Sequence, residues 1–145
     1  MREHKANPVS RRLATIPGIG PITASAIAAT VPDPGLFRSG RELAAWIGLV
    51  PKPHSSGGKE KLGGVSKQGD RYLRRLLTVG ATAAMRNLKG KSDGLSEWTR
   101  TLMERRPFRL VSLALANKMA RIAWAVMTRG EAYRARPATP ARAAA

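Results

Sequence analysis

The sequence predicts a mainly all-α domain, a small helical fold with a helix-hairpin-helix and a long Gly/Ser-rich basic loop. Three observations carry that expectation. Apolar residues recur at helical spacing, as in Leu73, Leu76, Leu77 and Gly80, and no run keeps a sustained period-two alternation. Proline, glycine and capping residues punctuate the chain at intervals that suit helices of roughly 8–20 residues. At 145 residues the chain has the size of one domain, long enough to bury a modest helical core.

Taken in order, residues 1–10 read as a flexible N-terminus. Arg11–Ala14 close a short helix before the turn Ile16-Pro17-Gly18-Ile19-Gly20. Pro21 suits a first helical position, where its missing N–H costs nothing, and Ile22–Val31 continue as a small-residue helix. Pro32-Asp33-Pro34-Gly35 stops it. Ser39 and Glu42 have the spacing of a capping box, so a helix spans Gly40–Ile47. After the loop, in which Lys59–Val65 has room for a short β-hairpin, Asp70 caps a long helix reaching about Asn87. Its stripe Leu73, Leu76, Leu77 and Gly80 faces inward, and Arg71, Arg74 and Arg75 fall on the complementary side. Ser92 or Ser96 opens the next helix, which ends near Arg106 before Pro107. The last helix covers about Arg109–Arg129, with Gly130 as its stop. The folded domain is therefore placed at 11–130, with the helix-hairpin-helix at about 13–31. Residues 131–145, rich in Ala, Pro and Arg, read as a disordered tail. Trp46, Trp98 and Trp124 lie among apolar neighbours and are assigned to the core.

Charge narrows the partner. Lys and Arg number 26 against 9 Asp and Glu, giving +17, far more than solubility requires of a small domain. A polyanion is the partner such a balance fits. An aromatic content of 5% argues against an extended platform on which single strands stack. With no cysteine, disulfides and thiolate metal sites are excluded. The N-terminus carries no apolar signal core, and the apolar stretch 110–127 is interrupted by Asn117, Lys118 and Arg121, so neither secretion nor a membrane partner is expected.

Two stretches carry the candidate chemistry. In the hairpin, Gly18 and Gly20 let the backbone approach a phosphate, and the next helix points its N-terminal donors and positive dipole end the same way. The same turn also serves simply to connect two packed helices. From Gly48 to Leu77 runs GLVPKPHSSGGKEKLGGVSKQGDRYLRRLL, in which Lys52, Lys59, Lys61, Lys67, Arg71, Arg74 and Arg75 face only Glu60 and Asp70. Glycine brings no side chain, so ligand oxygens can reach main-chain N–H groups there. Ser55 and Ser56 are either solvated turn residues or, with His54 nearby and cations around them, nucleophiles toward a phosphate. The nine acids are scattered singly and supply no cluster of carboxylates for a catalytic metal.

The succession LATIPGIGPITASAI, then FRSGRELAAWIGLVPKPHSSGGKEKLGGVSKQGDRYLRRLL, resembles the C-terminal domain of the DEDD-type insertion-sequence transposases of the 110/116/902 type, whose members are guided by a bridge RNA. The resemblance covers about Leu13–Gly130. It implies that the serine before the loop glycine, Ser56, attacks a DNA phosphodiester and becomes joined to the DNA, with Ser55 the rival by one residue of register. It also implies partners: duplex DNA of the element and its target, a guide RNA, and either a second copy or a full-length transposase, in the bacterial cytoplasm. Family members carry an N-terminal RuvC-like domain with four acidic residues, which this sequence does not include. The expectation is a truncated or split transposase, binding no cofactor alone and needing Mg²⁺ only together with that acidic domain. Two other readings stand beside it: a non-catalytic helix-hairpin-helix DNA-binding module, and a small basic RNA-structural protein, which the Ser-Ser-Gly-Gly loop suits poorly.

Overall fold

The computed structural model describes residues 2–49 and 70–138. Among them are seven α-helices and no strand: α1 (Arg2–Ala6), α2 (Pro8–Leu13), α3 (Pro21–Thr30), α4 (Gly40–Ile47), α5 (Arg71–Arg86), α6 (Gly94–Met103) and α7 (Phe108–Arg129), with a 3-10 turn at Pro34–Leu36. The described residues form a mainly all-α domain, as the periodicity predicts.

Helix α7 is the axis of the molecule. It packs against α2, α4, α5 and α6, burying Val111, Leu115, Ala116, Met119, Ala120, Ala123 and Val126. Its length and apolarity alone would suffice to cross a membrane. Here those apolar residues form the centre of a core with Leu13, Ile16, Ile27, Leu43, Ile47, Leu73 and Leu77. Each such side chain contributes about 1.5–3 kcal/mol by leaving water. The helices approach α7 closely because small residues stand at the crossings. A Cβ on Gly40 would lie 3.0 Å from the Arg121 backbone, a tight contact, so glycine eases the approach of the start of α4 to α7.

Local capping sets most helix starts. Ser39 Oγ accepts the Glu42 N–H at 3.2 Å, and Gly48 ends α4 in the left-handed region at φ 91°. Asp70 Oδ1 accepts the Leu73 N–H at 3.0 Å and opens α5. Gly130 (φ 67°) ends α7. The inward stripe of α5 is Leu73, Leu77, Ala81 and Met85, with Leu76 half-buried at its margin.

The structure differs from the sequence reading in four places. Residues 2–10 are largely helical: Asn7 Oδ1 caps α2 by accepting the Val9 and Ser10 N–H groups, with Pro8 at the first helical position. Helix α6 opens from Asp93, neither Ser92 nor Ser96, because its carboxylate accepts both the N–H and the hydroxyl of Ser96. Residues 131–138 lie against the body. The Tyr133 N–H donates to Thr15 Oγ1 at 2.9 Å, the Gly94 N–H donates to the Arg136 carbonyl at 2.7 Å, and Asp93 and Pro137 form an isolated bridge. Trp46 is not a core residue: it is 40% exposed and leans on Phe37, ring centres 5.7 Å apart.

Candidate nucleic-acid interface

The hairpin between α2 and α3 is pinned by Ile16 and Ile19, both buried. Its two glycines face different surroundings. Gly18 has φ +85°, and a Cβ there would stand 2.7 Å from Met119 Cε and 2.9 Å from the Gly80 carbonyl oxygen. A Cβ on Gly80 would come within 2.0 Å of the Gly18 oxygen, so the turn and α5 touch backbone to backbone. Gly18 is thus required by packing. Gly20 is exposed, with nothing within 4 Å of the position its Cβ would take. It precedes α3, which no side chain caps and whose first residue is Pro21. The main-chain donors of that first turn therefore have no side-chain acceptor, at the positive end of the helix.

The start of α5 is electrostatically unusual. Past its Asp70 cap the first turn holds no acid, while Arg71 and Arg75 are exposed and Arg74 is half-buried and engaged. Cations at a helix N-terminus oppose the dipole, at a cost of about 0.3–1 kcal/mol each. The arrangement is poor for the helix and good for attracting an anion.

Lys52, Ser55, Ser56, Lys59, Lys61 and Lys67, and the short hairpin expected at Lys59–Val65, lie outside the described residues. What is fixed is where that loop leaves and re-enters: Leu49 is buried and its carbonyl accepts from Asn117 Nδ2 at 3.3 Å, and Asp70 sits at the α5 cap. A serine-histidine pair does occur elsewhere. His4 Nδ1 lies 2.6 Å from Ser10 Oγ, which is 3.2 Å from Ser25 Oγ. Ser10 is 0% exposed, so no phosphate can reach it, and the trio locks α1, α2 and α3 together. Among the described residues no three His, Cys, Asp or Glu side chains gather as a metal set.

A second cationic surface is not visible in the sequence. A cavity of about 810 Å³ opens between α6, α7 and residues 131–137. Lys118, Arg121, Arg129, Arg134 and Arg136 line it, with Glu131 the one acid, and Trp98 and Tyr133 contribute rings. Lys118 Nζ sits 4.6 Å from the centre of the Trp98 ring. Burial, and the nearby charges of Arg121 and Arg136, hold the Lys118 ammonium below its ordinary pKa. Burial likewise raises the Tyr133 hydroxyl, assisted by Asp93. No signal local in sequence marks this site, since its walls come from three separate stretches and one of them reads as tail.

Comparison with known proteins places the chain. Residues 10–94, which run from α2 through the hairpin, α4, the loop and α5 to the start of α6, match the family described as Transposase IS116/IS110/IS902 family. A Sinorhizobium fredii protein named as transposase y4pF/y4sB is 51% identical over 92% of this chain and 35% of its own length. The transposase for insertion sequence element IS1111A of Coxiella burnetii is 49% identical over 90% of this chain and 36% of its own length. That for IS1328 of Yersinia enterocolitica is 45% identical, over 92% and 40%. The chain thus spans little more than a third of the relatives it matches. With more than half of its residues inside one family pattern, this chain belongs to the IS116/IS110/IS902 transposase family.

Proposed function

We propose that this chain is the DNA-contacting domain of an insertion-sequence transposase and carries the serine that attacks DNA. The observation that carries the reading is the start of α5, where exposed Arg71 and Arg75 follow the Asp70 cap of a 16-residue helix whose first turn holds no other acid. Gly20 and the uncapped start of α3 add main-chain donors for a phosphate. Lys52, Lys59, Lys61 and Lys67 extend the positive charge through the loop that holds the serines. Gly18 serves the same interface indirectly, by holding the turn against α5.

In the proposed reaction Ser56 Oγ attacks a phosphodiester phosphorus. A Ser Oγ–P bond forms, one P–O bond to a deoxyribose oxygen breaks, the serine proton passes to a base, and the leaving oxygen takes a proton. Loop cations stabilise the charge that builds on the non-bridging oxygens. The described residues offer no carboxylate set that fits Mg²⁺, so no step here is routed through a metal. A RuvC-like acidic domain, a guide RNA and a second copy or full-length partner complete the assembly in this proposal.

Two measurements test it. Arg71→Ala/Arg75→Ala should weaken binding to duplexes of any sequence about equally, because phosphate contacts position without reading bases. With an acidic domain in trans, guide RNA and Mg²⁺, a denaturing gel should show a protein–DNA adduct that is lost in Ser56→Ala and kept in Ser55→Ala. The reverse pattern moves the nucleophile by one residue. Duplex binding without any adduct leaves a non-catalytic DNA-binding module.

A further inference from the structure

We infer that the cavity between α6, α7 and residues 131–137 is a binding pocket for an unpaired nucleotide of a nucleic-acid strand, separate from the duplex-facing surface of α5. The inference rests on the nucleic-acid reading of the chain, and it adds a second site of different shape. Its volume, about 810 Å³, lies in the range of small-ligand sites, on the order of 300–1,000 Å³, and its half-open concave shape suits a single nucleotide.

The lining has the two chemistries that one nucleotide presents. Arg121, Arg129, Arg134 and Arg136 surround the opening with cations. The ion pairs among the described residues are Arg38 with Glu42 and Arg100 with Glu97, so none of these four is neutralised by a paired carboxylate there. Ile122, Ala125 and Val126 supply an apolar wall, and Trp98 and Tyr133 add aromatic rings to it, that of Trp98 with Lys118 Nζ over one face, rings of the kind on which bases stack. Low aromatic content excludes a long stacking track, yet a single pocket needs only one or two rings. Lys118, desolvated and repelled by Arg121 and Arg136, is a cation whose charged form an incoming phosphate would favour. An acidic peptide would satisfy the cations and leave the aromatic and apolar wall unused, which is why a nucleotide is the better occupant.

The test uses the whole 145-residue chain. Short labelled oligothymidylate and oligouridylate strands are titrated by fluorescence anisotropy, beside a duplex. Arg121→Gln/Arg136→Gln removes two exposed cations, and Ala125→Phe fills the cavity without changing charge. Each should weaken strand binding roughly tenfold while duplex binding changes less than about twofold. Arg71→Ala/Arg75→Ala should do the reverse. Thermal unfolding checks that Ala125→Phe is folded, and the arginine pair, being exposed, gives the answer independently. A preference for uridylate assigns the pocket to RNA through the 2′-hydroxyl, and equal affinity assigns it to either strand. Strand binding that survives both variants overturns the inference. So does displacement of the strand by polyglutamate that itself binds more tightly, which would give the groove to an acidic protein. Strand binding abolished in both variants, in a protein that ignores duplex, would sink the proposed function and leave this pocket standing.

Discussion

The start of α5 and the cavity behind α7 carry similar charge on opposite kinds of surface. Arg71 and Arg75 stand exposed at a helix end, whereas Lys118, Arg121 and Arg136 border a hollow that also holds Trp98 and Tyr133. A projecting cation meets a phosphate with the rest of the ligand outside, so it reads backbone charge and little else. Of the cations around the hollow only Lys118 is half-buried, and such a cation meets its ligand together with the walls, so size and aromatic character enter the affinity. Net charge of +17 fits a polyanionic partner, and in the two proposals above shape divides the duty between duplex and unpaired strand.

The comparison breaks most visibly if the frame that separates the two surfaces is broken. Gly80→Ala would force a Cβ to within 2.0 Å of the Gly18 oxygen, and neither side is a flexible side chain. Overpacking of that kind should cost about 3 kcal/mol or more in urea unfolding, with both binding activities falling together. Gly20→Ala meets open space and should cost about 1 kcal/mol or less, through the weaker helix cap, while duplex binding alone declines. Equal destabilisation of the two variants would contradict the inward and outward roles of the hairpin.

Salt dependence sharpens the contrast at intermediate magnitude. Removing Arg71 and Arg75 should lower the slope of log affinity for duplex against log salt by about 2, one unit for each phosphate no longer neutralised. Ala125→Phe should leave that slope unchanged and weaken strands at every salt concentration, since it removes room and no charge.

The smallest effect concerns Asp93, which joins α6 to the segment that walls the cavity. Burial pushes its carboxyl up, but hydrogen bonds from the Ser96 hydroxyl and from main-chain N–H groups outweigh burial and hold it below its ordinary value of 3.8. A depressed carboxyl stabilises the fold above its unfolded pKa and loses that contribution as pH falls through the folded value. Asp93→Ala should therefore cost about 1 kcal/mol near neutrality, the worth of a helix cap, and the gap to wild type should narrow below pH about 4. A gap that is constant with pH would show that the carboxylate's charge adds nothing to the cap.

Legible in the sequence is whatever is decided within a few residues. Ser39, Asp70 and Gly130 set the limits of α4, α5 and α7 through bonds that span three or four positions, so those limits are visible in local pattern. The cap of α2 is equally local, in Asn7-Pro8, but it is hidden among polar residues that read as a loose end. Residues 131–138 are illegible for a different reason. Tyr133 finds its acceptor on Thr15, 118 positions away, and Arg136 finds its donor on Gly94, so an Ala/Pro/Arg composition says nothing of them. The hairpin turn is legible, and the split between its glycines is not, because Gly18 is defined by Gly80 and Met119. The cavity needs three distant stretches in place at once.

Helix α7 follows the other six described helices in the chain, yet most of them bury their apolar faces against it. During synthesis the hairpin therefore leaves the ribosome well before Met119, the residue its Gly18 must meet. At typical rates of roughly 5–20 residues per second, that interval is on the order of 5–20 s. For that time Leu13 and Ile16 have no axis to close on, and Leu43 and Leu73, made later, wait for correspondingly shorter times. Slow codons ahead of α7 would lengthen the exposure of those apolar side chains.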